Sequence, residues 1–211
     1  NHIADYYAMI SHLDEHIGRV LDALEDSGQF DNTIIVLAGD NGLAVGRHGL
    51  MGKQNLYDHS VRVPLIFAGP DIPQGKTTRE FAYLLDIFPT LCGLTGVNVP
   101  ETVNGIDLTE TIRNDALARQ ELYLAYTHVQ RAVRTRTHKL IEYVVNNQRT
   151  TQLFDLINDP NEIHDLSQKA DQQEIITELR STLLQEREIL NDTREREAAF
   201  WKGYLKQGGH K

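Results

Sequence analysis

The sequence predicts an α/β fold: helices and strands sharing a sheet over residues 1–120, then a small antiparallel sheet with a packing helix over residues 121–190, and a charged tail over 191–211. Three observations carry this. Apolar residues recur at helical spacing over residues 1–26, and an apolar, β-branched run follows at Thr33–Ala38; helix then buried strand is half of an α/β repeat. A second apolar run, Val63–Ala68, returns the chain to the core after a glycine-rich loop. From Leu122 onward, short strand-like segments follow one another across polar turns with no helix between them, the pattern of an antiparallel sheet.

In chain order, Ile3, Tyr7, Ile10, Leu13, Ile17, Val20, Leu21 and Leu24 mark one stripe of an amphipathic helix, with Asp14 and His16 on solvated faces. Gly28 fits the helix stop. Thr33–Ala38, bounded by turn residues, reads as a buried strand of the kind most often found in parallel sheets. Pro64 removes a ladder donor and suits a strand start or edge. Asp86 reads as an N-cap, with Pro89 in the first turn of a helix that buries Ile87, Leu91 and Leu94 and ends near Gly96. Residues 97–120 read as irregular apart from a short helix near 109–118. Leu122–Tyr126, Ala132–Thr135, Lys139–Val145 and Gln152–Leu156 read as strands. Asp171 and Glu174 have capping-box spacing, opening a helix to about Leu190 that turns Ile175, Ile176, Leu179, Leu183 and Leu184 inward. In the tail, Phe200, Trp201 and Tyr204 are the residues able to dock.

Composition narrows the function. The chain has 211 residues, 40% of them hydrophobic, enough for a sizeable core. A net charge of -9 and the lack of any basic block argue against a nucleic-acid binder. No apolar run reaches the roughly 18–20 residues of a membrane span. The single cysteine, Cys92, lies among apolar residues and reads as a core thiol; it excludes an internal disulfide and a cysteine-cluster metal site. Asn1 does not look like a native start, so the compartment is not legible and the chain is expected to continue upstream.

The chemistry concentrates between Gly39 and Arg62. Asp40 and Asn41 sit at the C-terminal end of the first strand, the edge where α/β sheets collect ligands. Two adjacent oxygen donors suit a hard divalent cation. The loop that follows carries His48, Lys53 and Tyr57 among glycines 39, 42, 46, 49 and 52. Taken singly, D-N-G marks a turn and a lysine is a solvated charge. Their order raises the odds, because a loop of about twenty residues inside a domain is usually functional or disordered.

The string G-D-N-G-x(3)-G-x-H-G-x(2)-G-K-x(3)-Y-D-x(3)-R-V-P-L-I closely resembles the second half of sulfatases, in the alkaline-phosphatase-like superfamily. The resemblance continues through DIFPTLCGLTG (86–96), NGIDL (104–108), the R-x-x-R and HKLI segments (131–141) and LFDLINDPNE (153–162). It implies a four-stranded C-terminal subdomain. It implies Asp40 and Asn41 as ligands of a cation, calcium with magnesium as the other candidate. Lys53 would contact a sulfate oxygen and the leaving-group side, and His48 would contact substrate or brace the loop. Tyr57, Asp58 and Arg62 would fix the loop, for example through an Asp58–Arg62 pair, while Arg131, Arg134 and His138 read as solvated strand residues in preference to a place near the substrate groove. The implied substrate is a sulfated small molecule or glycan, and the family's usual location is periplasmic or secreted; oligomeric state is not legible.

The sequence departs from the family at one large point. Sulfatases carry a C/S-x-P-S/A-R motif whose first residue becomes the formylglycine nucleophile, and here Cys92 is followed by Gly-Leu-Thr. The paired aspartates that complete the metal site are likewise not found. The chain is therefore expected to be the C-terminal half or so of a sulfatase, inactive alone, since two donors do not fill a site of roughly six oxygens. A phosphonate or phosphodiester hydrolase or a phosphomutase of the same superfamily, and a non-catalytic binding protein on the same fold, are the competing readings.

Overall fold

The computed structural model describes residues 2–193 and 198–207. Among them are six helices, α1 (His2–Asp26), α2 (Asp58–Val61), α3 (Ile87–Thr95), α4 (Thr109–Asn114), α5 (Gln173–Ile189) and α6 (Ala198–Gln207). Six strands accompany them: β1 (Ile35–Ala38), β2 (Leu65–Ala68), β3 (Leu122–Tyr126), β4 (Gln130–Arg134), β5 (His138–Val145) and β6 (Gln148–Asp155). The chain divides into two units, Asn1–Gly52 with Val63–Ala118, and Lys53–Arg62 with Arg119–Lys211.

In the first unit α1 runs as the periodicity predicts and ends at Gly28, whose φ of +70° closes the last turn. Its stripe is not buried: Ile3, Tyr7, Ile10, Leu13 and Val20 are all exposed. The expectation of a buried, parallel first strand is corrected. β1 pairs with β2 antiparallel, Ile35 opposite Ala68 and Ala38 opposite Leu65, and Leu37 and Ala38 are exposed. The only α-helix in the connection between them is the four-residue α2, whereas a parallel pair is usually joined through a packed crossover helix. Gly69 follows β2 at φ +137°, where a Cβ would lie 2.6 Å from the carbonyl oxygen of Thr33. Only glycine fits that approach.

α3 buries Pro89 and Cys92 and stops at Gly96, φ +72°. Asp86 precedes α3 but does not cap it with its side chain. Its fully buried carboxylate accepts from Tyr83 N at 2.7 Å and Ile106 N at 2.9 Å, so it ties the NGIDL segment to the turn before the helix. Just before α4, Asp107 Oδ1 accepts from Thr109 N at 2.8 Å and from its hydroxyl at 2.5 Å, an Asx turn that leads into the helix.

In the second unit β3-β4-β5-β6 form a four-stranded antiparallel sheet in sequential order. Asn146 and Asn147, both at positive φ (50° and 59°), make the two-residue turn between β5 and β6. Primed turns of this kind match the twist of the strands they join. Strand alternation gives two buried faces. Tyr123, Val133, Leu140, Val144 and Leu153 face α5 and α6, packing with Ile176, Leu179, Leu183, Phe200, Trp201 and Tyr204. Ala132, Ile141 and Phe154 face the other way, onto Leu56 and Tyr57.

Three expectations change here. No capping box forms at Asp171–Glu174, because a 3₁₀ turn (Ala170–Gln172) leads directly into α5. The tail is not simply a charged appendage: α6 buries Phe200, Trp201 and Tyr204, while residues 194–197 and 208–211 lie outside the described set. Arg131 is not solvated. It is fully buried, bonded to Asp192 through Nε (2.5 Å) and Nη2 (3.0 Å), with its guanidinium 4.9 Å from the Phe200 ring centroid.

Candidate functional site

At the end of β1, Gly39 N donates to Pro64 O at 3.1 Å, the last tie between the strand ends before the loop departs. Asp40 and Asn41 then stand side by side. Asp40 is exposed and its Oδ1 accepts from Asn41 N at 2.8 Å. The Oδ1 of Asn41 is buried and accepts no hydrogen bond among the described residues. A buried acceptor without a donor costs stability, and native structures retain one where it serves a ligand or a water. Here it adjoins a carboxylate, which suits an oxygen-seeking cation such as Ca²⁺ or Mg²⁺. Among the described residues no group of three or more His, Cys, Asp or Glu side chains is placed to hold a metal ion.

The glycine loop is closed by its own backbone. Ala44 N donates to Gly52 O (3.0 Å) and Gly46 N to Leu50 O (2.7 Å). His48 sits in the tip at φ +52°, between Gly46 and Gly49, which are also at positive φ. A left-handed histidine flanked by two such glycines is held there by the turn rather than by its own preference.

Lys53 opens the segment that belongs to the second unit, and its side chain is exposed. Its amide donates to Gln54 Oε1 at 3.1 Å and its carbonyl accepts from Asn55 N at 2.9 Å. Asn55 Oδ1 accepts from Tyr57 N at 3.1 Å, and Tyr57 OH donates to Gln152 Oε1 at 2.9 Å.

Tyr57 and Asp58 do fix the segment, but the expected Asp58–Arg62 pair is replaced by a longer-range one. Asp58 accepts from Arg134 (3.3 and 3.2 Å) and from Lys139 Nζ. Lys139, fully buried, also donates to Leu56 O at 3.1 Å and pairs with Glu162 at 2.6 Å. Arg134 is therefore not the solvated residue expected; its side chain is 16% exposed. Burial by itself raises the Asp58 carboxyl, and Lys139 followed by Arg134 outweighs it, holding the group below the usual carboxylate value. Lys139 and Glu162 were not singled out in the sequence. The available signal was alternation, which puts Lys139 on the same face of β5 as Ile141 and Tyr143, where a free charge is costly.

Residues 46–189 match the family described as N-sulphoglucosamine sulphohydrolase, C-terminal, and the chain belongs to that family, a branch of the sulfatases. The N-acetylglucosamine-6-O-sulfatase of Bacteroides thetaiotaomicron is 32% identical over 219 residues, covering 96% of this chain and 39% of that protein. The chain spans 31–40% of the length of that protein and two other sulfatase relatives. The solved structure of BT4656 in complex with its substrate D-glucosamine-2-N,6-O-disulfate superposes with a TM-score of 0.80 at 29% identity, over 89% of this chain and 40% of that one. The phosphonate monoester hydrolase of Agrobacterium radiobacter superposes with a TM-score of 0.76 at 26% identity, over 86% of this chain and 40% of that one.

Proposed function

We propose that this chain is the metal- and sulfate-contacting C-terminal part of a sulfatase, a sulfuric ester hydrolase acting on a sulfated sugar. The observation that carries the reading is the orphaned Oδ1 of Asn41 beside the Asp40 carboxylate, at a strand end in a chain of the sulfatase family. Asp40 and Asn41 would hold the cation, calcium with magnesium as the other candidate. When bound, it supplies positive charge to the sulfate oxygens. Asp40 brings a charge that offsets part of the cation's, and Asn41 a neutral oxygen. Lys53 is the sulfate contact: a flexible ammonium meets the growing charge on an equatorial or leaving oxygen. His48 contacts the same substrate or steadies the loop for it. The formylglycine nucleophile and the remaining cation ligands come from sequence outside these 211 residues, since no C/S-x-P-S/A-R motif lies within them. A sugar sulfate is preferred to an aryl sulfate because the relative and the solved neighbour named above carry amino-sugar sulfates in their descriptions.

The test uses a polypeptide that joins this chain to a nucleophile-bearing sulfatase N-terminal part. Asp40→Ala and Lys53→Ala should each lower kcat/KM on glucosamine 6-sulfate by at least 100-fold, the loss typical of one removed oxyanion contact. Wild-type rates in either variant would overturn the assignment. Turnover of an aryl sulfate by the 211-residue chain alone would overturn the division of labour. A second reading, phosphonate monoester hydrolysis, is favoured by the Agrobacterium radiobacter likeness. A kcat/KM for a phenylphosphonate monoester exceeding that for any sulfate ester would decide for it.

A further inference from the structure

Resting on that reading, we infer that Lys139 and Glu162 are positioning residues that set the pose of Lys53. The LFDLINDPNE segment has no part in the chemistry above, yet it ends in a residue built for this task. Glu162 is 2% exposed and stands at φ +59°, a conformation that residues other than glycine seldom adopt. In that conformation its carboxylate reaches two targets in the Lys53 segment's anchor: the Asp58 amide, which donates to Oε2 at 2.6 Å, and Lys139 Nζ, 2.6 Å from Oε1. The Lys139 ammonium has three partners: the Asp58 carboxylate, the Leu56 carbonyl at 3.1 Å, and the Glu162 carboxylate as an ion pair. The ammonium thus donates hydrogen bonds to Asp58 and Leu56 and meets Glu162 as an ion pair, and Asp58 and Leu56 lie within five residues of Lys53.

From the anchor the order passes back along the chain. Leu56 is held by its carbonyl and its buried side chain. Asn55, also buried, bonds Tyr57 N forward at 3.1 Å and the Lys53 carbonyl backward at 2.9 Å. An exposed lysine side chain is thus carried on a backbone whose next residues are bonded and buried. Arg134 contributes a second cation to Asp58, and the Lys139 ammonium is the joint where Asp58, Leu56 and Glu162 meet. Displacements of about 1 Å in a contacting group cost up to ~100-fold in rate, so loosening this joint should be felt at the sulfate.

The experiment is a mutant cycle in the active polypeptide. Lys139→Met combined with Glu162→Gln removes one charge of each sign and leaves Asp58 paired with Arg134. It should lower kcat/KM on glucosamine 6-sulfate at least 10-fold. In a Lys53→Ala background the same pair should change kcat/KM less than 2-fold, because the residue it positions is gone. Equal fold-losses in the two backgrounds, or a wild-type rate in the folded double variant, would overturn the inference. Should that variant not fold, Glu162→Gln alone decides by hydrogen exchange. The amides of Asn55, Tyr57 and Asp58 should exchange at least 10-fold faster while those of β5 stay unchanged, and unaltered exchange overturns the inference. The exchange arm needs no turnover. A wild-type protein inactive on sulfate esters would therefore sink the sulfatase reading while the anchor is still decided.

Discussion

Asp192→Asn should detach α6 from its sheet, at a cost of about 3 kcal/mol to the second unit. The carboxylate accepts from four donors: Arg131 Nε (2.5 Å) and Nη2 (3.0 Å), the Tyr123 hydroxyl, and Trp201 Nε1 (3.0 Å). Asparagine keeps one acceptor oxygen and turns its NH₂ toward the N–H groups of Arg131 or Trp201, which only donate. Arg131 then remains fully buried with no counter-charge. Breaking a buried pair by removing one partner costs about 3–5 kcal/mol, and the lower end applies because the Asp192 side chain is 12% exposed. Burial raises the Asp192 carboxyl, and hydrogen bonds from Arg131 and Tyr123 outweigh that and hold it below its usual value. Urea unfolding followed by intrinsic fluorescence is the assay. The chain has a single tryptophan, Trp201, so the signal reports this contact directly. With a denaturant slope of about 1.5–2 kcal/mol/M, the midpoint should fall by roughly 1.5–2 M. A shift under about 0.3 M would refute the view that the ion pair holds α6.

Acid should weaken the same unit in a predictable direction. Asp58 and Asp192 titrate below their unfolded value of about 3.9, so their contribution is fully present above that value and is lost as pH falls through the lowered folded values. Urea midpoints should therefore hold from about pH 6 to about pH 4 and drop below that, less steeply in Asp58→Asn. Gly69→Ala should destabilise the first unit by about 2 kcal/mol, since the φ of +137° and the 2.6 Å approach to Thr33 O exclude a Cβ; circular-dichroism melting checks it. Asn41→Leu should leave the Tm of the active polypeptide unchanged or higher in chelator, because the lost oxygen had no partner, and should abolish the Tm rise on adding calcium. A retained calcium shift would remove Asn41 from the ligand set.

What the sequence made legible was local. Periodicity in residues 2–26, turn residues after Leu94 and strand alternation from Leu122 all translate directly into backbone conformation. The Asp40–Asn41 step is legible for the same reason, since a strand followed by D-N-G fixes where those donors sit. Pairings across long sequence separations were not legible. Nothing local distinguishes Asp58–Arg62 from Asp58–Arg134, and the actual partner is 76 residues away. The strand direction of β1 failed likewise, because an apolar run of four residues carries no record of its neighbour. The aromatic cluster in α6 was visible as a composition, but its docking site is a face made by four other strands and a helix.

Those long-range pairs share a logic. Each buried face of the four-stranded sheet carries charge that the covering element neutralises: Arg131 and Glu142 toward α5 and α6, answered by Asp192 and Arg180, and Lys139 toward the Lys53 segment, answered by Asp58 and Glu162. Apolar packing alone would let a helix or loop slide by a turn at little cost, since area is not directional. A buried charge does not permit this, because any register but one leaves it unpaired. The stability gained per pair is small once desolvation is counted, so their value lies in register. For α6 register is only structural. For residues 53–58 register fixes the backbone that carries the exposed Lys53 ammonium, which links this sheet to the proposed sulfate contact.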